Sequence, residues 1–363
     1  MIPEEGALGP FGDMDADGDV DLVGDTGTYA YDGRGVFRLA RKLAFASDEP
    51  RLALYDADGD GALDLLTRTH LYHGDGAGGF ADASSALPPG ARFDVVTIAD
   101  IDGDSDADIV AIRRQTYPDP ALLEVHVNDG SGSFATTSSV AAAFATTLAT
   151  GDIDGDADID LILAGSSTEL WKNDGSGLFA STPAGLGAVE GEAVALADVD
   201  LDGDLDLVVG GTFYSAGRMF LNDGSGSFSE VAFPAVEGAV RSLAVLDREG
   251  DGDPDLVLGL VSTDVYYGFP VGNRLLENVG GAYTVSGALP KVLSDGLPVF
   301  TGDLDGDGDA DLVFQGGPSG FAGRFQPARV HLNDGSGTFV PVRGAEKVLL
   351  ATDPNRLAPR VVA

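Results

Sequence analysis

The chain has 363 residues, a formal net charge of −38, 52 glycines and no cysteine. That charge argues against nucleic acid and anionic membrane as partners, and the missing cysteine leaves no disulfide to staple the fold. No apolar run approaches the roughly 20 residues of a membrane-spanning helix, so insertion in a membrane is not expected.

Met1 to Pro10 lacks the basic-then-apolar layout of a signal peptide; the expectation is a chain whose leader has been removed. An acidic loop follows at once, with Asp13, Asp15, Asp17, Asp19 and Asp21 on alternate residues. The same pattern returns as Asp56, Asp58, Asp60, Ala62 and Asp64; as Asp100, Asp102, Asp104, Asp106 and Asp108; and as Asp152, Asp154, Asp156, Asp158 and Asp160. It returns again as Asp198, Asp200, Asp202, Asp204 and Asp206; as Asp247, Glu249, Asp251, Asp253 and Asp255; and as Asp303, Asp305, Asp307, Asp309 and Asp311. Of these 35 positions 34 are acidic, more than half of the 59 carboxylates in the chain. The loops start 43 to 56 residues apart, a period that marks propellers or solenoids.

A second signature follows each loop. It reads Asp32-Gly33 to Phe37, Asp75-Gly76 to Phe80, Asn128-Asp129-Gly130 to Phe134, Asn173-Asp174-Gly175 to Phe179 and Asn222-Asp223-Gly224 to Phe228. It ends with the degraded Asn278-Val279-Gly280 to Tyr283 and with Asn333-Asp334-Gly335 to Phe339. Asn and Gly accept positive φ cheaply, so this is a hairpin turn, and the aromatic after it is expected to pack between sheets. Each unit then holds four strands: one into the acidic loop, such as Val95 to Ala99; one out, such as Leu205 to Val209; a third such as Arg218 to Leu221; and a fourth after the turn.

These elements predict an all-β fold, a seven-bladed β-propeller of four-stranded antiparallel blades forming one domain over 1–363; a linear β-solenoid is the alternative. Residues 347–363 resemble a strand with no loop after it, and are expected to close the ring against the first blade, whose own first strand is short.

Alternating carboxylates repel, about a kcal/mol per pair at ~5 Å even when well screened, and a hard cation relieves them. Oxygen donors at odd positions with a glycine for the sharp turn describe a Ca²⁺ loop. Positions one, three, five and nine are expected to offer side-chain oxygen and position seven its backbone carbonyl, which explains why Ala62 is tolerated. An EF-hand would need flanking helices and Glu at position twelve, whereas position twelve of the fifth loop is Val209 in a strand. Up to seven structural Ca²⁺ are expected, taking the formal charge from −38 to −24, in a millimolar-calcium compartment outside the cell. Ser105 and Ala157 stand where five loops have Gly, so the third and fourth loops are expected to bind more weakly.

The D-x-D-x-D-G-x-x-D loop within a four-stranded repeat resembles the FG-GAP/VCBS family, known from the integrin α-subunit propeller. Only Phe11-Gly12 matches the FG of that name, so the similarity is closer to the bacterial VCBS type. The resemblance implies Ca²⁺ loops on a lower face and a ligand-binding upper face, in a family of adhesion modules, lectins and polysaccharide lyases. The variable connections of that upper face carry Arg113, Arg114 and Tyr117; Phe213, Tyr214 and Arg218; Tyr266, Tyr267, Phe269 and Arg274; and Phe321, Arg324, Phe325 and Arg329. Arginine beside aromatics suits an anionic or sugar ligand. His126 and His331 align with Tyr29, Tyr72, Trp171, Phe220 and Leu276 and are expected to be structural; His70 and His73 are the remaining acid–base candidates, and no catalytic motif is present. The expected function is a monomeric, calcium-stabilised extracellular module that binds a glycan or protein, the alternatives being a lyase or hydrolase and a protein-interaction scaffold.

Overall fold

The computed structural model describes residues 10–342 except 25–26, 32–36, 44–50, 117–118, 143–144, 213–216, 262–271, 287–288, 290–298, 315–316, 320–323 and 327–328. Seven four-stranded sheets follow one another, each with its strands in chain order. The fifth shows the plan: Ala193–Ala197, Asp206–Gly210, Arg218–Asn222 and Phe228–Val231, antiparallel throughout. Such a meander puts the acidic loop and the hairpin turn at one end of the blade and the other two connections at the opposite end. In the seventh blade a two-stranded ribbon, Gly317–Ser319 with Arg324–Gln326, is inserted in the upper connection. No helix among the described residues is long and apolar enough to cross a membrane.

The second strand of each blade is an apolar run buried on both faces, which explains why it reads as near-continuous Val, Leu and Ile instead of alternating. In the fifth blade Leu207 and Val209 pack toward the fourth blade and Val208 toward the sixth. The same arrangement gives seven apolar clusters, one per interface between neighbouring blades. One of them joins Leu22 and Tyr31 of the first blade to Leu304, Val313 and Val330 of the seventh, where Phe11 and Phe300 also meet with ring centroids 6.3 Å apart. The molecule is therefore a closed seven-bladed propeller. The predicted ring-closing segment 347–363 lies outside the described residues.

Six of the seven post-turn aromatics pack as expected against the preceding blade: Phe134, Phe179, Phe228 and Phe339 are buried in interface clusters, with Phe80 and Tyr283 partly so; the side chain of Phe37 lies outside the description. Each fully buried side chain of this size is worth about 1.5–3 kcal/mol.

Candidate functional site

Every acidic loop is first a hydrogen-bonded turn. The carboxylate at position one accepts the N–H of position six at 2.9–3.1 Å in all seven loops. Position five accepts the N–H of position seven at 2.8–3.0 Å. The curl needs positive φ at positions four and six, and the four non-glycine residues with positive φ among those described all stand there: Ala16, Ser105, Ala157 and Leu201. Ser105 and Ala157 keep the common geometry at φ 76° and 73°, and Gly103 and Gly155 supply the other positive-φ position.

Position nine is a buried staple. Asp21, Asp64, Asp108, Asp160, Asp206, Asp255 and Asp311 are at most 3 % exposed. Each accepts the backbone N–H of the hairpin-turn residue at 2.7–3.1 Å. In six loops the other oxygen accepts the N–H of loop position two. Burial pushes the carboxyls of Asp21, Asp160 and Asp206 up to about 6 and that of Asp311 up to about 7, against the downward pull of these N–H donors.

The turn asparagines reach across the blade interface. Nδ2 of Asn128, Asn173, Asn222, Asn278 and Asn333 donates to the carbonyl of loop position two in the preceding blade, at 2.7–3.2 Å. Tyr31 and Gly74 occupy this position in the first two blades and offer no carboxamide. At the second blade Gly78 N–H instead donates to the Met14 carbonyl at 3.0 Å.

Position three points to a cation. Asp15, Asp102, Asp154, Asp200 and Asp305 each carry a buried Oδ1 with no hydrogen-bond partner, a costly condition for a carboxylate oxygen. In the first, second and fourth loops positions one, three and five bring oxygens within 4.8 Å of one another; in the third, positions one, three and nine do. Burial, then the neighbouring carboxylates, raise the carboxyls of Asp15, Asp102, Asp200 and Asp305 above the usual range. A ring of hard oxygens with one aimed inward and unpartnered fits an oxygen-preferring divalent cation. At position seven the side chains of five loops turn to the hairpin: Asp106, Asp158, Asp204 and Asp309 lie against the glycine of their own hairpin turn, where a Cβ would collide with them, and Asp253 accepts the Gly280 N–H at 2.8 Å.

Three loops differ at position three, and in each the residue just before the hairpin turn is involved. His73 Nδ1 lies 3.0 Å from Asp58 in the second loop. Lys172 Nζ lies 2.7 Å from Asp154 Oδ2 in the fourth; there burial pushes the Asp154 carboxyl up, but the ammonium outweighs it and the net shift is downward. In the sixth, Glu277 approaches Arg248, which also contacts Glu249. Sequence reading missed this column, yet it carries a signal: His73, Lys172 and Glu277 stand where the other blades have Ala30, Val127, Leu221 and Leu332.

Of the candidate ligand-binding residues, Tyr117, Phe213, Tyr214, Tyr266, Tyr267, Phe269 and Phe321 lie outside the described residues. Arg324 and Phe325 lie on the inserted ribbon and Arg329 begins the third strand of the seventh blade. Arg113 pairs with Glu124 at 3.2 Å, and Arg218 holds Glu230 with two bonds of 2.6–2.7 Å above the Phe220 ring. Arg114 donates to the Thr146 carbonyl at 3.3 Å, and Arg274 to that of Asn273 at 3.1 Å. A recess of about 380 Å³ opens between the fifth and sixth blades, walled by Met219, Phe233, Pro234 and Tyr283 with Asp200 at its edge. His126 and His331 are structural: both are buried, edge-on to Phe93 and Phe314. Burial and then Arg113 or Arg329 lower them to about 4.

The architecture defines the class: a closed propeller whose seven blades each end in an acidic turn. The chain carries FG-GAP-like repeats, a family whose pattern matches residues 56–111, 152–209 and 198–258. Comparison of the sequence with curated proteins finds no match. Among solved structures, an Agrocybe aegerita lectin that specifically recognises non-reducing terminal N-acetylglucosamine is 21 % identical with a TM-score of 0.64, the match covering 90 % of this chain and 89 % of the lectin. An ancestral GH74 enzyme is 13 % identical with a TM-score of 0.56, over 94 % of this chain and 46 % of the enzyme. At such identities the likeness is one of fold.

Proposed function

We propose that this propeller is an extracellular, calcium-stabilised binding module for a glycan. The observation that carries the calcium is the unpartnered, buried position-three oxygen in five of the loops. Asp15, Asp102, Asp200 and Asp305 would hold the ion together with positions one and five, whereas Asp154 is already paired with Lys172; millimolar affinity for loops of this kind suits an extracellular setting. The ion would supply charge neutralisation and cross-bracing, not chemistry.

The glycan reading is supported by the recess between the fifth and sixth blades, where Phe233 and Tyr283 line a concave, mainly apolar wall of the kind small-ligand sites share. The lectin of the same fold is consistent with it. The upper connections are the second candidate surface; Arg113 and Arg218 there are already engaged by Glu124 and Glu230. A glycan array with calcium present tests the reading: binding lost on Phe233→Ala with unchanged melting supports it. A blank array with a protein recovered by pull-down would favour a scaffold, and unsaturated products from an acidic polysaccharide would favour a lyase.

A further inference from the structure

Loop position two faces the blade interface and is apolar in six loops: Met14, Ala57, Ile101, Ile153, Val199 and Leu304. In the sixth it is Arg248, only 8 % exposed. A buried guanidinium is stable only among anions and hydrogen-bond acceptors, and this one has them. It contacts the Glu249 carboxylate at loop position three. Its Nε stands 3.7 Å from Asp255 Oδ2 at position nine, and a terminal nitrogen lies 3.4 Å from Glu277 Oε1. The other terminal nitrogen donates to the Gly337 carbonyl of the seventh blade at 3.0 Å; a Cβ on Gly337 would crowd the guanidinium at 2.9 Å.

We propose that the sixth loop is closed by Arg248 in place of a metal ion. The guanidinium sets a positive charge against Glu249 and within ion-pair range of Asp255, two carboxylates that a divalent cation would bridge, and a second cation entering the loop would meet like charge at contact range. The contrast with the other loops supports this. Among the described residues five leave a buried position-three oxygen unpartnered, whereas the carboxylate of Glu249 is taken by the guanidinium; the buried oxygen without a hydrogen bond in the sixth loop is Asp255 Oδ2 at position nine, and it faces Arg248 Nε at 3.7 Å. Glu277 completes the arrangement from the column that holds Lys172 and His73 elsewhere, adding a third carboxylate beside the buried guanidinium.

This inference rests on the calcium reading, and one experiment separates the two. Bound calcium is counted by equilibrium dialysis on the intact, metal-stripped chain and three variants. Asp200→Asn, at position three of the fifth loop, is expected to bind one ion fewer than the wild type. Glu249→Gln, at the equivalent position of the sixth, is expected to bind the same number. Arg248→Leu, which restores the residue type of Leu304, is expected to bind one more. Loss of one ion on Glu249→Gln overturns the proposal, as does a folded Arg248→Leu with an unchanged count; if Arg248→Leu does not fold, Glu249→Gln decides. A wild type that takes up no calcium overturns the calcium reading itself, and the comparison between loops with it.

Discussion

At the scale of single residues the turn asparagine does the most. Asn222 donates across the interface to Ile153 and within its blade to Leu205, and its Oδ1 accepts the Gly226 N–H. Asn222→Ala removes all three bonds and strands two buried carbonyls and an N–H, so it should cost about 1–3 kcal/mol and lower the melting temperature by several degrees in calorimetry. Ala157 offers the opposite change. It sits at φ 73°, where a non-glycine residue is disfavoured by about 1–2 kcal/mol, so Ala157→Gly should raise the melting temperature, partly offset by the looser unfolded chain. The asparagine was legible as a turn residue from its Asn-Asp-Gly context. Its clasp was not, because the partner carbonyl lies 69 residues away in the chain and nothing local marks it.

At the scale of the loop, alternate carboxylates divide into distinct tasks. Position nine holds two backbone donors and position seven leans on a hairpin glycine, although both are aspartate in the fifth loop. Asp206→Asn puts an N–H₂ opposite one of the two backbone N–H donors of Asn222 and Val199, and should destabilise the fold by about 2 kcal/mol. Asp204→Asn, on the partly exposed neighbour, should cost less than about 1 kcal/mol; equal denaturant midpoints for the two variants would refute this division. The period-two spacing revealed the loop, the turn and the strand that follows, since each depends on near neighbours. It could not reveal which charges are answered from elsewhere in the blade, as Asp154 is by Lys172 across 18 residues.

At the scale of the molecule, calcium and pH should act together. If calcium stands at one to ten times its dissociation constant, each site adds about 0.4–1.4 kcal/mol, so EDTA should lower the melting temperature markedly; an unchanged melt would sink structural calcium. In the stripped protein burial raises all seven position-nine carboxyls above the usual 3.8, those of Asp21, Asp160 and Asp206 to about 6 and that of Asp311 to about 7. The fold then holds more protons than the unfolded chain between about pH 4 and 7, and stability falls as pH rises through that window. Melting in EDTA should thus be higher at pH 5 than at pH 7.5, and calcium should narrow or reverse the difference, because a cation favours the ionised form. Fold class was readable because the repeat is written seven times. The expected closure by residues 347–363 lies outside the described residues; among those described, the first and seventh blades meet through side chains some 290 positions apart, such as Phe11 and Phe300, a contact that nothing local in the sequence marks.

The five asparagine clasps are not spread evenly round the circle. They fasten five consecutive joints, from the second blade through to the seventh, and the two joints without one both flank the first blade. A hoop fastened in this way has a seam, and strain or heat should part it there before anywhere else. Amide exchange followed by mass spectrometry should then find the second and third strands of the first blade, Asp21–Gly24 and Gly27–Tyr31, exchanging ahead of Asp206–Gly210 in the fifth.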